Sequence, residues 1–212
     1  MSEVVVVDYG MGNLLSVTRA LDCVGADVVL TSTPRTVADA GRLVLPGVGA
    51  FGDGMAGVEA RGLVDAIRRF VSMERPFLGI CLGMQMMLEF SEEFGICKGL
   101  GLIPGRNVAV PANGAGGAPH KIPHIGWNRL LPPASRGWDG TILAGLPENA
   151  AGYFVHSFMA MPEAAEHRLA DCDYDGVRIA AAIGCGHLYG CQFHPEKSGP
   201  VGLRILENFI NL

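Results

Sequence analysis

Two short stretches carry side chains whose types and spacing suit nucleophilic catalysis. The first is Gly79-Ile80-Cys81-Leu82-Gly83, a single cysteine framed by glycines where the apolar run "PFLGI" meets a helical pattern. A sharp strand-to-helix turn of this kind exposes its central side chain at the carboxyl edge of a sheet, with sulfur standing where other elbows carry a serine hydroxyl. Free N–H groups of the helix opening at Leu82 favour thiolate. The elbow alone leaves a second reading open, because cysteine is also a small hydrophobe that packs well in cores. The second stretch is "CQFHPEKSG", residues 191–199, an apolar strand ending in His194-Pro195-Glu196. In extended chain, residues i and i+2 point the same way, and Pro195 biases His194 towards that region. Glu196 can then hold the imidazole in one tautomer while His194 takes a proton from Cys81. An isolated H-P-E run equally describes a surface histidine beside a solvated glutamate. Joined to the elbow, it completes a nucleophile, a base and an orienter.

A third stretch, Gly47-Val48-Gly49-Ala50-Phe51-Gly52, matches G-x-G-x-x-G directly after a strand pattern. A dinucleotide fingerprint belongs on the first strand, with an acidic residue near the end of the next. This one follows the third strand, and the next strand runs into Cys81. A better use is a glycine-permissive loop whose N–H groups, with that of Leu82, face a developing oxyanion. An ordinary glycine turn is the plainer alternative.

These residues need a scaffold, and the chain supplies one by alternation. "EVVVVD" is a continuous apolar run suited to a central parallel strand covered on both faces. Leu14, Val17, Leu21 and Val24 then fall at helical spacing within residues 12–25. "DVVLTS" follows as a strand, Thr33-Pro34 as a helix start, "RLVLPG" as a third strand, and residues 54–70 as a helix broken near Gly62. "PFLGI" makes a fourth strand and residues 84–90 a further helix. Such β-α order predicts an α/β fold with a doubly wound, mostly parallel sheet and flanking helices. From Gly99 onward, short strand candidates ("NVAVPA", "WNRLL", "GYFVHSFMAMP", "HRLADCDY", "VRIAAAI", "HLYGCQF") are separated by glycine, proline and aspartate turns, which adds a small antiparallel sheet. Tyr174-Asp175-Gly176-Val177 reads as a hairpin, "ANGAGGAP" as a flexible surface loop, and residues 198–212 as a closing helix.

Composition narrows the function classes. A chain of 212 residues with 49% hydrophobic residues can bury one core, so residues 1–212 read as a single domain. Charged residues are only 17%, the net charge is −5 and no long basic block exists, which argues against nucleic-acid binding. The apolar runs have strand length, too short for a membrane span, and residues 1–10 show no targeting leader. Six cysteines at irregular spacings, with no C-x-x-C pair, read as reduced thiols in a cytoplasmic protein, although a Cys185–Cys191 disulfide stays open. His120 and His124 have zinc-like i,i+4 spacing, but Pro119 and Pro123 oppose a helix and no third ligand is near, so no metal and no cofactor are expected. His156 and His187 read as structural histidines and His167 as a surface one.

Taken in order and spacing, "PGVGAFGDGM", "GICLGMQ" and "QFHPEKSG" resemble the class I (triad) glutamine amidotransferases, with a flavodoxin-like core. "DYGMGNL", "KIPHIGWN" at residues 121–128 and "YFVHSF" at residues 153–158 are similar, more narrowly, to the glutaminase subunits of imidazole glycerol phosphate synthase. The resemblance spans nearly the whole chain. It implies that Cys81 attacks the side-chain amide of glutamine, His194 shuttles the proton and Glu196 orients it. Val48, Gly49 and Leu82 would form the oxyanion hole, and Gly49, Gln85, Glu93, Ser157 and Phe158 the glutamine pocket. Related sequences often carry tyrosine at the position of Phe158. The implied partner is a (β/α)8-barrel cyclase in a heterodimer, receiving ammonia to convert PRFAR into imidazole glycerol phosphate and AICAR. Asn13, Trp127, Tyr153 and Lys197 match interface positions; plainer roles are a helix cap for Asn13, a core aromatic for Trp127 and a solvated charge for Lys197. Rival expectations are a glutaminase serving anthranilate, aminodeoxychorismate or pyridoxal phosphate synthesis, another cysteine hydrolase, and a non-catalytic scaffold subunit.

Overall fold

The computed structural model describes residues 2–133 and 137–212. Its first half alternates β1 (Ser2–Val7), α1 (Leu14–Cys23), β2 (Ala26–Thr31), α2 (Pro34–Asp39), β3 (Leu43–Gly47), α3 (Phe51–Ala60), α4 (Leu63–Val71), β4 (Phe77–Cys81) and α5 (Leu82–Met86). The second half holds β5 (Phe90–Ser91), β6 (Cys97–Lys98), β7 (Gly105–Ala109), β8 (His124–Arg129), β9 (Ala151–His156), β10 (Phe158–Pro162), β11 (Arg168–Tyr174), β12 (Val177–Cys185), β13 (Leu188–Cys191) and α6 (Gly199–Ile210).

Seven strands form the main sheet in the order β11-β12-β13-β4-β3-β1-β2. β1 shows why the apolar run reads as central. Val4 and Val6 pack with Val17 and Leu21 of α1 and Ile205, Leu206 and Phe209 of α6. Val5 and Val7 face the other way, onto Val37 of α2, Val58 of α3 and Leu63, Ile67 and Phe70 of α4. Each such side chain contributes roughly 1.5–3 kcal/mol when fully buried, so packing, more than propensity, holds these short helices. β4 lies between β3 and β13 and runs parallel to both, with Gly47 opposite Cys81 on one side and Cys191 opposite Ile80 on the other. β11 and β12 finish that edge as an antiparallel hairpin. Its turn holds Asp175 and Gly176 at φ 48° and 81°, the left-handed pair that two-residue hairpins require.

Several boundaries differ from the sequence reading. The helix expected over 84–90 begins at Leu82 and ends at Met86. Tertiary donors take its carbonyls: Asn107 Nδ2 bonds Gln85 O at 2.9 Å, and Leu100 N bonds Met86 O at 2.8 Å. "GYFVHSFMAMP" splits at Ser157, with β9 pairing β8 in a two-stranded sheet and β10 pairing β7 in a four-stranded one. The helix expected from Gly54 starts three residues earlier, where Glu93 Oε2 accepts from Phe51 N at 2.7 Å. "ANGAGGAP" is an ordered turn: Asn113 bridges Pro119, and Ala115 N donates to Asp175 O on the β11–β12 hairpin. Cys185 and Cys191 are both free thiols. Among the described residues no helix is long and apolar enough to cross a membrane.

Candidate active site

Cys81 closes β4 and caps α5 at φ 53° and ψ −108°, a left-handed conformation that L side chains seldom adopt. Holding a non-glycine residue there costs on the order of 1–3 kcal/mol, a strain that clusters at functional sites. The elbow survives because its flanks carry no Cβ. A Cβ on Gly83 would overlap the carbonyl of Leu45, and one on Gly79 would press on the Gly83–Met84 peptide. At five residues α5 is too short for its dipole to carry the weight the sequence placed on it. Contacts around the sulfur are therefore the stronger argument.

β13 leads to His194, the expected base. Its ladder with β4 brings Cys191 beside Ile80, and the chain reaches His194 three residues later. His194 is extended (φ −97°, ψ 99°), as expected from the proline that follows, but residues 195–197 then tighten into a 3-10 turn. Glu196 reaches the imidazole through that turn and not through a continued strand. Nδ1 and Oε1 lie 2.7 Å apart, with each side chain 1% exposed. Ser198 Oγ donates to His194 O at 2.6 Å and accepts from Tyr153 N at 3.0 Å, which locks the turn against β9. His194 Nε2 is buried with no hydrogen bond to a described residue. Burial alone favours the neutral ring, but attraction from the Cys81 sulfur and the Glu196 carboxylate outweighs it and raises the histidine to about 9.

A cavity of about 360 Å³ collects the expected residues: Cys81 and His194, Val48, Gly49 and Leu82 of the oxyanion set, and Gln85, Glu93, Ser157 and Phe158 of the glutamine set. That volume suits an amino-acid-sized ligand. Glu196 does not line the cavity but stands behind the histidine. Gln85 Nε2 donates to Phe158 O at 3.0 Å and to Gln192 Oε1 at 3.1 Å, so Phe158 contributes its carbonyl to the wall. A thiol and a buried imidazole around one cavity can together attack an acyl carbon.

Sequence reasoning missed Gln192, whose Nε2 lies 3.8 Å from Cys81 Sγ. Two-residue alternation back from His194 could have found it. It also missed Pro123 and treated His156 as purely structural, whereas both line the cavity. His156 Nδ1 donates to Phe158 O at 2.9 Å, and its Nε2 meets His124 Nδ1 at 3.0 Å. Burial comes first in lowering both rings to about 4; His120 adds to the effect at His124, and the Phe158 carbonyl opposes it at His156. His120 is held by the carbonyls of Pro111 and Tyr174, and His187 by that of Val71. His167 is half-buried rather than fully on the surface.

Trp127 is 60% exposed and meets Tyr153 edge-on at 6.1 Å across the β8–β9 ladder, which excludes a core role. Asn13 occupies the N-cap position of α1 without a side-chain capping bond, and Lys197 is exposed on the 3-10 turn.

The chain matches the family described as glutamine amidotransferase class-I over residues 5–212. It is 55% identical to imidazole glycerol phosphate synthase subunit HisH 1 of Legionella pneumophila (strain Lens), covering 100% of both chains. It is 45% identical to subunit HisH of Geobacter sulfurreducens, over 99% of this chain and 98% of that one. Among solved structures, PurLQS from Thermotoga maritima superposes with a TM-score of 0.74 at 18% identity, covering 100% of this chain and 99% of that chain, a likeness of fold.

Proposed function

The chain belongs to the class-I glutamine amidotransferases, and from that footing we propose that it hydrolyses glutamine to glutamate and ammonia as the glutaminase subunit of an imidazole glycerol phosphate synthase in histidine biosynthesis. The observation that carries this reading is the shared cavity of Cys81 and His194, with the imidazole tied to Glu196 at 2.7 Å.

In the proposed cycle, His194 Nε2 takes the Cys81 proton and the sulfur attacks the amide carbon of glutamine. Backbone N–H groups at Val48, Gly49 and Leu82 receive the oxyanion. His194 returns its proton to the departing nitrogen, releasing ammonia and leaving a glutamyl thioester. It then draws a proton from water, whose attack frees glutamate and restores the thiol. Glu196 holds Nδ1–H throughout, fixing the tautomer and stabilising the imidazolium. Gln85, Glu93, Ser157 and Phe158 surround the substrate. The proposed partner is a (β/α)8-barrel cyclase that docks against Asn13, Trp127, Tyr153 and Lys197 as a heterodimer and consumes ammonia in turning PRFAR into imidazole glycerol phosphate and AICAR. A cytoplasmic setting suits six free thiols.

The test is glutamate release by the purified chain, alone and with a barrel cyclase plus its nucleotide ligand, for wild type and Cys81→Ala. Stimulation abolished by the substitution is the expected result. Cys81-dependent turnover without stimulation points to a different synthase partner, and turnover independent of Cys81 overturns the mechanism.

A further inference from the structure

We propose that Gln192 is a positioning residue for the nucleophile, holding the Cys81 sulfur with its side-chain N–H and favouring the thiolate over the thiol. The inference rests on the reading of Cys81 as nucleophile. Gln192 is fully buried just past the end of β13, and its backbone N donates to Ala181 O at 2.9 Å. Its amide has one consistent orientation. Gln85 Nε2 spends its two N–H groups on Phe158 O and Gln192 Oε1, at 3.0 and 3.1 Å. Oxygen is therefore the Gln192 atom facing Gln85, and the NH2 group is the one facing Sγ at 3.8 Å.

The sulfur has a second polar neighbour of opposite character, the carbonyl of Val155 at 4.0 Å. A thiol can donate to that carbonyl. Once the proton has passed to His194, the carbonyl is a poor neighbour for the anion, while the N–H of Gln192 becomes a charge-assisted donor. Gln192 thus acts on one protonation state of the nucleophile, and its acceptor side reaches Gln85 in the substrate wall. Packing alone would not need a polar side chain at a position as buried as Gln192.

The test is iodoacetamide modification of Cys81, read by peptide mass spectrometry from pH 5.5 to 9.5, in wild type, Gln192→Leu, Gln192→Glu and His194→Asn, with melting curves for each. Gln192→Leu removes the donor and should slow Cys81 modification about ten-fold at neutral pH, with the profile displaced to higher pH. Gln192→Glu keeps the acceptor for Gln85 but sets a carboxylate beside the sulfur, and should displace the profile further. In the cyclase complex, Gln192→Glu, which keeps the acceptor for Gln85, should lower kcat with KM within about two-fold. Folded Gln192→Leu and Gln192→Glu proteins with the wild-type Cys81 profile overturn the proposal. His194→Asn with an unchanged profile overturns the triad instead, so the two failures are distinguishable.

Discussion

His194 and Glu196 meet at 2.7 Å between Nδ1 and Oε1 where His194 caps a 3-10 turn, so one tight loop carries both the proposed base and the group proposed to orient it. Glu196→Gln keeps the shape and removes the charge. Glutaminase kcat should fall by about 10²-fold or more, within the range that positioned proton transfer contributes, with little change in KM. A steady-state assay in the complex checks this; an unchanged kcat refutes it.

The same pair predicts a loss of stability in alkali. His194 is raised from 6.5 to about 9 in the fold, so its protonation stabilises the native state fully below pH 6.5 and ceases to as pH rises through 9. The melting advantage of wild type over His194→Gln should shrink between those values. A pH-independent difference would contradict the assignment.

His124 and His156 act in the opposite direction. Their folded values near 4 lie below the ordinary 6.5, so the stability that comes from keeping them neutral holds above pH 6.5 and drains away as pH falls towards 4. Urea melts at pH 7.5 and 4.5 should show wild type losing more than the His124→Gln, His156→Gln double variant.

Gly83→Ala should destabilise by at least ~2 kcal/mol, because the added methyl meets the backbone of Leu45 and not a side chain that can turn aside. Chemical denaturation measures it directly. A shift below about 0.5 kcal/mol would mean that β3 and the elbow yield more easily than their packing implies.

Trp127→Ala tests the proposed partner face. The side chain is exposed, so the stability of the lone subunit should change by less than about 0.5 kcal/mol. Affinity for the cyclase, measured by titration calorimetry, should drop ten-fold or more if this aromatic anchors the interface. Unchanged affinity removes it from that face.

The elements that carry the candidate site were legible because their cues are local. A glycine-framed cysteine after an apolar strand, and a histidine held by the next residue's proline, each state their geometry within a few residues. What escaped depended on distant partners. Nothing in "GYFVHSFMAMP" marks Ser157 as the break, since both arms have strand chemistry; β8 and β7 claim them for different sheets. The overlong helix after Leu82 failed for the same reason, its carbonyls being taken by Asn107 and Leu100. Gln192 looked like an ordinary strand residue until Gln85, far away in sequence, fixed which end of its amide meets the sulfur.

The neighbouring placement of β4 and β13 also shapes how such a protein can diversify. Cys81 ends β4 and His194 follows three residues after the end of β13, so the spacing of the proposed nucleophile and base rests on one hydrogen-bond ladder more than on the length of the chain between them. The aromatic pair of β8 and β9 sits in a separate two-stranded sheet within that intervening chain. A change in the β8–β9 insert therefore leaves the β4–β13 ladder, and with it the spacing of Cys81 and His194, untouched.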